Sequence, residues 1–380
     1  GPEELTLAGI RATQLIYDDL AISNYRSSSR IYAGSRERRE ADRLDVLAEI
    51  GNAYYRVALA DNRYRIVADN LKLTEDNLEL SRLRQDIGYS GRDEVYRWEA
   101  ELAQRRAGVF GSHAIREKGQ IVLNQVLAGD QRVRFQIEEV PYENIDRYFL
   151  DGGLNVIFSS LKKIEKARSF VTNFALENAP ELKFLDDFVA SQQIQVSARK
   201  RRFFLPTVFA NFFYEYRIDR TPDFPGGEKG FYVFEVAASY PLFLGGRRVY
   251  NVKREKSVLD GLEREKKLAS ERIEQRARVA LRRLEASIPG VGFGHTASQS
   301  ARQNLDIVND KYALGIVNVT DLLEAQNESL RAELGAADAI YTYLLDLIEF
   351  QRSISWFQDE RSQAEQDDFI KRLKAAISMP

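Results

Sequence analysis

Apolar residues recur along two long stretches of the chain at the spacing of a coiled-coil helix. Ile50, Val57, Tyr64, Leu71 and Leu78 stand seven apart, with Leu47 and Tyr54 at the alternate seam position. Further on, Leu323, Leu330, Leu334, Ala337, Tyr341, Leu344 and Ile348 step by seven, then by alternating fours and threes. A heptad seam keeps one face turned to a partner helix, and patterns running well beyond 25 residues favour coiled coil over globular packing. A helix over 18–86 would be on the order of 100 Å long at 1.5 Å per residue.

Each long pattern is broken once by a glycine. "RQDIGYSGRDEVYRWEAEL" (84–102) holds Gly88 between two helical patterns, with Glu94 six residues on. "KYALGIVNVTDLLEAQ" (311–326) does the same with Gly315 and Asp321. Glycine accepts the left-handed conformation that ends a helix, and Asn318 or Thr320, or Ser90 in the earlier break, can cap the helix that follows. The pattern therefore predicts two long helical hairpins with their tips at the same end of the molecule.

The two breaks lie 227 residues apart, and the same offset holds elsewhere without a gap. Asn77-Leu78 falls on Asn304-Leu305, and "QLIYDD" (14–19) falls on "PLFLGG" (241–246). Repetition at fixed offset means two copies of one supersecondary unit. An aromatic strand beginning near Leu205 in the second copy has its counterpart before Gly1, so a first strand of copy one, with the helix before it, is expected upstream. The start Gly1-Pro2, without methionine, reads as a protease-cleaved end with any signal peptide also upstream.

Between the copies the period changes from helical to alternating. In "FFLPTVFANFFYEYRI" Val208, Ala210, Phe212, Tyr214 and Tyr216 share one face, opposite Asn211, Glu215 and Arg217 with Phe209 and Phe213. After the loop "DRTPDFPGGEKG", Tyr232, Phe234, Val236, Ala238 and Tyr240 alternate with Glu235 and Ser239. Strands of about 10 residues with one apolar face, tyrosines near the ends and a polar opposite face fit a transmembrane β-barrel. A soluble amphipathic hairpin packed on a core fits them too.

Composition narrows the chemistry. With 55 basic against 57 acidic residues, the net charge of −2 gives no general pull toward nucleic acid. Cysteine is absent, which excludes disulfides, thiolate metal sites and cysteine nucleophiles. His113 and His295 stand far apart without a ligand-spaced partner. No apolar run reaches the roughly 18 residues of a transmembrane helix. The basic cluster Arg199, Lys200, Arg201, Arg202, Arg247 and Arg248 lacks interleaved stacking residues. It reads as cations at a helix C-terminus or as side chains reaching lipid headgroups. "PGVGFGHT" (289–296) follows a helix and lacks the Gly-Lys-Ser/Thr ending of a phosphate loop, so Pro289 and its glycines are read as a helix break. "DGGLN" at Asp151 reads as a turn, and Trp98 and Trp356 as core residues on helices. No catalytic constellation and no cofactor loop is present, so an enzyme is not expected.

Two repeats with strands feeding very long helices, together with "ARKRRFFLPTV" (198–208), "YPLFLGGRR" (240–248) and "KYALGIVNVTDLLEAQNESLRAEL" (311–334), resemble the TolC-type outer-membrane efflux proteins. The resemblance covers about Leu5 to Phe357. It implies a mostly α fold with a small β part, in which three protomers share one β-barrel in the outer membrane of a Gram-negative bacterium and extend helices into the periplasm. It implies a periplasmic adaptor engaging the tips at Gly88, Tyr89, Ser90, Gly91 and Gly315, Ile316, Val317, Asn318, and an inner-membrane pump acting indirectly. It implies a gate at Tyr312, Asp321, Glu324 and Glu94. The position of the gate arginine is Val317 here, which leaves Arg92 as the nearby substitute. No cofactor, metal or nucleic acid is implied. The expected organisation is a first repeat over 5–130 with its tip at 86–92, an equatorial segment over 131–163, a second repeat over 164–357 with strands at 203–242 and a tip at 313–320, and an equatorial tail over 358–380. The other class that fits the residues is a soluble coiled-coil scaffold.

Overall fold

The computed structural model describes residues 4–148, 161–221, 228 and 230–378. The elements follow the doubled pattern closely. Strand β1 (Glu4–Tyr17) leads into helix α1 (Asp19–Asp86) and, across a tight turn, α2 (Arg92–Val126). Two helices, α3 (Leu161–Asn178) and α4 (Pro180–Arg201), precede strands β2 (Thr207–Thr221) and β3 (Gly230–Ser239). Helices α5 (Arg247–Ala313) and α6 (Val319–Ser353) form the second hairpin, and α7 (Gln363–Ser378) ends the chain. The first hairpin's α1 ends, and its α2 begins and ends, 227 residues before the matching points of α5 and α6. The turn expected at Asp151 lies outside the described residues.

The chain divides into two compact units, each drawing on both copies. One comprises Gly1–Arg39 with Pro180–Ser270, the other Glu40–Ala179 with Glu271–Pro380. In the first, β1, β2 and β3 form an antiparallel sheet in that order. Its register puts like with like. Tyr214 pairs with Tyr232, Phe212 with Phe234 and Ala210 with Val236, while Ile10 and Ala12 of β1 stand opposite Tyr214 and Phe212. Because side chains alternate across a strand, these residues share one face, and its large apolar members are exposed. On the other face Thr13 Oγ1 donates to Asn211 Oδ1 at 3.1 Å, and Glu235 pairs with Asn211. Large side chains are exposed on both faces, Phe231 and Val233 on one and Tyr232 and Phe234 on the other, so the sheet is not packed on a core of this chain as the amphipathic hairpin would be. The helical part of this unit is joined by Ser27 and Ser191, whose buried hydroxyls lie 2.6 Å apart, and by Gln192 reaching Glu255 at 3.0 Å.

In the second unit the seams pack largely as the heptads require. Val57, Leu78, Ala337, Tyr341 and Leu344 are buried, whereas Tyr54 is exposed and Leu71, Leu323, Leu330 and Leu334 are half-buried. Nearer the tips the seam between α1 and α6 turns polar. Gln326, fully buried, donates to Thr74 Oγ1 at 2.7 Å, beside buried Asn70, Asn77, Ser81 and Ser329. Such a layer specifies register at a cost in stability.

Two readings are corrected. Pro289 and its glycines do not break the helix: α5 runs through them. Buried Leu284 and Val291 flank the proline and hold the helix against its neighbours, outweighing the one backbone bond that proline removes. Gly294 is a packing residue, since a Cβ there would sit 3.2 Å from the Ala336 Cα. Trp356 lies just past the end of α6 rather than on it, stacked on Phe369 with ring centroids 4.7 Å apart. It is buried all the same, and Phe174 meets the Phe369 ring edge-on at 5.1 Å.

The stretch 131–140 has no regular secondary structure, yet it is tied to α2. Gln120 accepts from Phe135 N at 3.1 Å and donates to Phe135 O at 3.0 Å. Asn124 donates to Val133 O at 2.9 Å. Just beyond, Tyr142 stacks flat on His295 at 3.9 Å.

Candidate functional site

Both helical reversals use the same local code. Gly315 has φ +75°, its N–H bonds to Tyr312 O at 2.9 Å and Ile316 N–H bonds to Lys311 O at 2.9 Å. Gly88 has φ +79°, with Gly88 N–H to Gln85 O at 2.9 Å and Tyr89 N–H to Arg84 O at 2.8 Å. This is the crossed pair of bonds that closes a helix on a left-handed glycine. The next helices start differently. Asn318 caps α6, accepting from Thr320 N at 2.7 Å and Asp321 N at 3.1 Å, while Asp321 Oδ2 accepts from Asn318 N at 3.1 Å. In the first copy Gly91 is the capping position and no side chain caps it. Ser90, expected as the cap, instead donates to Ser81 O at 3.4 Å. Alanine at Gly315 would have to hold the left-handed conformation, costing about 1–2 kcal/mol. Faster hydrogen exchange at the Ile316 amide in Gly315→Ala is the expected readout.

The two tips are joined through Tyr312, which is fully buried. Its hydroxyl donates to Glu94 Oε1 and accepts from Trp98 Nε1 at 3.3 Å. Arg84 lies over the ring at 4.6 Å and donates from Nη1 to Tyr312 O at 2.6 Å. Arg97 of α2 donates to Thr320 Oγ1 at 2.8 Å. Around this knot pack Leu78, Val95, Leu305, Val319, Leu322 and Ala325. The structure thus brings Tyr312 and Glu94 together and places Asp321 in the cap. Glu324 and Arg92 are exposed, and Val317 is half-buried. The arginine that touches the tyrosine is Arg84, which sequence reasoning missed. Its one signal was a basic side chain in the last turn of α1.

The tips share a second feature. Ile87 and Tyr89 flank Gly88, Leu314 and Ile316 flank Gly315, and all four side chains are exposed. The 227-residue offset superposes the two pairs, so Ile87 and Leu314 were within reach of the repeat but were not singled out.

Solved structures with a similar overall fold exist. A membrane protein from Pseudomonas aeruginosa superposes with a TM-score of 0.73 at 16% identity, covering 93% of this chain and 83% of that one. The outer membrane protein VceC of Vibrio cholerae gives 0.71 at 14% identity, covering 93% and 87%. The MtrE outer membrane channel of Neisseria gonorrhoeae gives 0.72 at 16% identity, covering 93% and 80%. By sequence, outer membrane protein TolC of Salmonella enteritidis is 25% identical over 122 residues.

The chain has the TolC-type fold.

The aligned stretch covers 32% of this chain and a quarter of the length of that TolC relative. No family model matches. Identity to the solved structures above is 14–16%, so the likeness is one of TolC-type fold. Among the described residues no helix is long and apolar enough to cross a membrane, and no cluster of metal-ligating side chains is present. The basic cluster is partly engaged within the chain: Arg201 Nε donates to Asp19 Oδ1 at 2.9 Å, and Arg199 pairs with Glu255 at 3.5 Å.

Burial, with the bond to Glu94, pushes the Tyr312 hydroxyl up from its ordinary 10 to about 12. A raised tyrosine pKa contributes stability that is complete below pH 10 and is lost as pH rises toward 12. The tip of the parent protein should therefore loosen across that alkaline window. Tyr312→Phe should lack this step when tip-amide hydrogen exchange is followed against pH.

Proposed function

We propose that the protein is an outer-membrane exit duct, a passive conduit for a tripartite efflux or secretion system. Three copies would close their strands into one barrel, apolar face to lipid and polar face to a wet lumen. The long hairpins would continue the path into the periplasm, and a periplasmic adaptor would dock at the exposed pairs Ile87–Tyr89 and Leu314–Ile316. Adaptor binding favours an open arrangement only through higher affinity for it. The Tyr312–Glu94–Trp98–Arg84 knot supplies the closed state that such binding opposes. Three copies of Asp321 and Glu324 around an axis would make the mouth electronegative and attractive to cations. An inner-membrane pump supplies the energy, and the duct performs no bond chemistry.

The observation that carries this reading is the sheet's apolar face, in register over three strands and exposed. Expression of the full-length protein in a Gram-negative host tests it. The expected result is recovery from the outer-membrane fraction, with cross-linking to a trimer and conductance in planar bilayers. Recovery as a detergent-independent soluble protein would instead establish the coiled-coil scaffold.

A further inference from the structure

A groove of about 430 Å³ lies between α1, the end of α2, the stretch 135–137 and the turn that follows α6. It falls wholly within the unit of Glu40–Ala179 and Glu271–Pro380. The tips do not reach it, since Tyr54 stands about 50 Å along α1 from Gly88 at 1.5 Å per residue. Nothing in the duct reading uses it.

The walls of the groove are already packed. On one side Phe357 joins Leu44, Ala48, Leu47 and Ile348, and on the other Leu123 joins Ala53, Val57 and Ile137. Gly51 lets α6 sit close to α1, because a Cβ there would lie 2.9 Å from Ile348 Cδ1. Three further rings line the space. Tyr54 and Tyr55 meet edge to face with centroids 5.5 Å apart, and Gln120 fixes the backbone of Phe135 through both its N–H and its carbonyl. The charged groups lining the groove are both carboxylates, Asp359 and Glu360, on the short turn Gln358–Glu360. Gln351 fixes this turn by accepting from Gln358 N at 2.8 Å. Glu360 shares Arg43 with Glu40, so that trio keeps a negative charge. Asp359 is exposed and pairs with no cation among the described residues. Burial, and then Tyr148 and Asp359, push the Tyr55 hydroxyl's pKa up, which places the free carboxylate beside the rings.

An apolar cavity of a few hundred Å³ with a few placed polar groups suits a small organic ligand. Here the rings and the carboxylates select the sign of its charge. Aromatic faces attract an alkylated ammonium, and an unpaired carboxylate adds to the attraction. An anion would be repelled by Asp359 and Glu360, and a neutral guest would use neither. We propose that the groove binds an amphiphilic organic cation, an alkylated ammonium with one apolar arm. The ammonium sits among Tyr54, Phe135 and Asp359, and the arm lies against Ile50, Leu123 and Ile137. Because its walls come from α1, α2 and α6, an occupied groove stabilises the packing of both hairpins. The site is separate from the tips and stands whether or not the duct reading holds.

Calorimetric titration of the full-length protein tests this, in lipid nanodiscs, or in buffer if the protein proves detergent-independent. Octyltrimethylammonium is compared with octanol and octanesulfonate, with empty nanodiscs as the blank. The expected result is one saturable site per protomer for the ammonium, about tenfold weaker binding of octanol, and none of octanesulfonate. Tyr54→Leu keeps apolar surface but removes the ring face, so it should weaken the ammonium about fivefold and leave octanol unchanged. Asp359→Asn should weaken the ammonium about threefold. Both side chains are exposed, so both variants should keep the parent's thermal midpoint. Equal affinity for ammonium and octanol, or no saturable binding of the ammonium, would overturn the proposal. Capture of a second copy by p-benzoylphenylalanine placed at exposed Leu127 would overturn it too, by giving the groove to a neighbouring protomer.

Discussion

Tyr312→Ala should cost about 3–5 kcal/mol, the range for deleting a buried aromatic side chain. The loss combines three terms. A fully buried ring leaves a cavity among Leu78, Val95, Leu322 and their neighbours. Trp98 Nε1 and Glu94 lose the hydroxyl that both use, and a buried polar group without its partner is costly. Arg84 loses the ring face beneath its guanidinium. Because the knot joins residues near 84, 94 and 312, the damage should concentrate at the two tips. Hydrogen exchange should show the amides of 84–98 and 311–322 opening together, with the sheet unaffected. In planar bilayers the full-length variant should spend more time open than the parent. Tyr312→Phe separates the terms, since it keeps the ring and the Arg84 contact and removes only the hydroxyl. An unchanged open fraction in Tyr312→Ala with fast tip exchange would make the knot a stability element and remove it from the gate.

The second large effect belongs to the sheet. Phe234→Arg puts a cation on the apolar face, beside Phe212. If that face meets lipid, the penalty is about 2–4 kcal/mol near the bilayer midplane. Glu235→Arg, one residue on, places the same charge on the opposite face near Asn211 and should be tolerated. The expected result is loss of outer-membrane assembly for Phe234→Arg, with near-normal yield for Glu235→Arg, read by membrane fractionation. Equal yields would mean that the apolar face is not in lipid.

Much of this architecture is legible in the letters because it depends on short-range rules. The 3.5-residue period, the period of two in the strands and the glycine requirement at φ +75° and +79° are each decided by residues close in sequence. Offset comparison then extends one copy's reading to the other. Two of the misses share one cause. Pro289 reads as a break when only its own helix is considered, but contacts from neighbouring elements decide the outcome. Arg92 is near the tip in sequence, whereas Arg84 reaches the Tyr312 ring from another helix. Ser90 is a good capping residue by type, yet the capping position lies one residue later, at Gly91.

By itself, then, the sequence determined the doubled unit, the two reversals and the two-faced strands, since periodicity and backbone stereochemistry act over a few residues. Only the tertiary structure decided which side chains close the tip around Tyr312. Those depend on residues more than 200 positions apart meeting in space, and no local pattern encodes that distance.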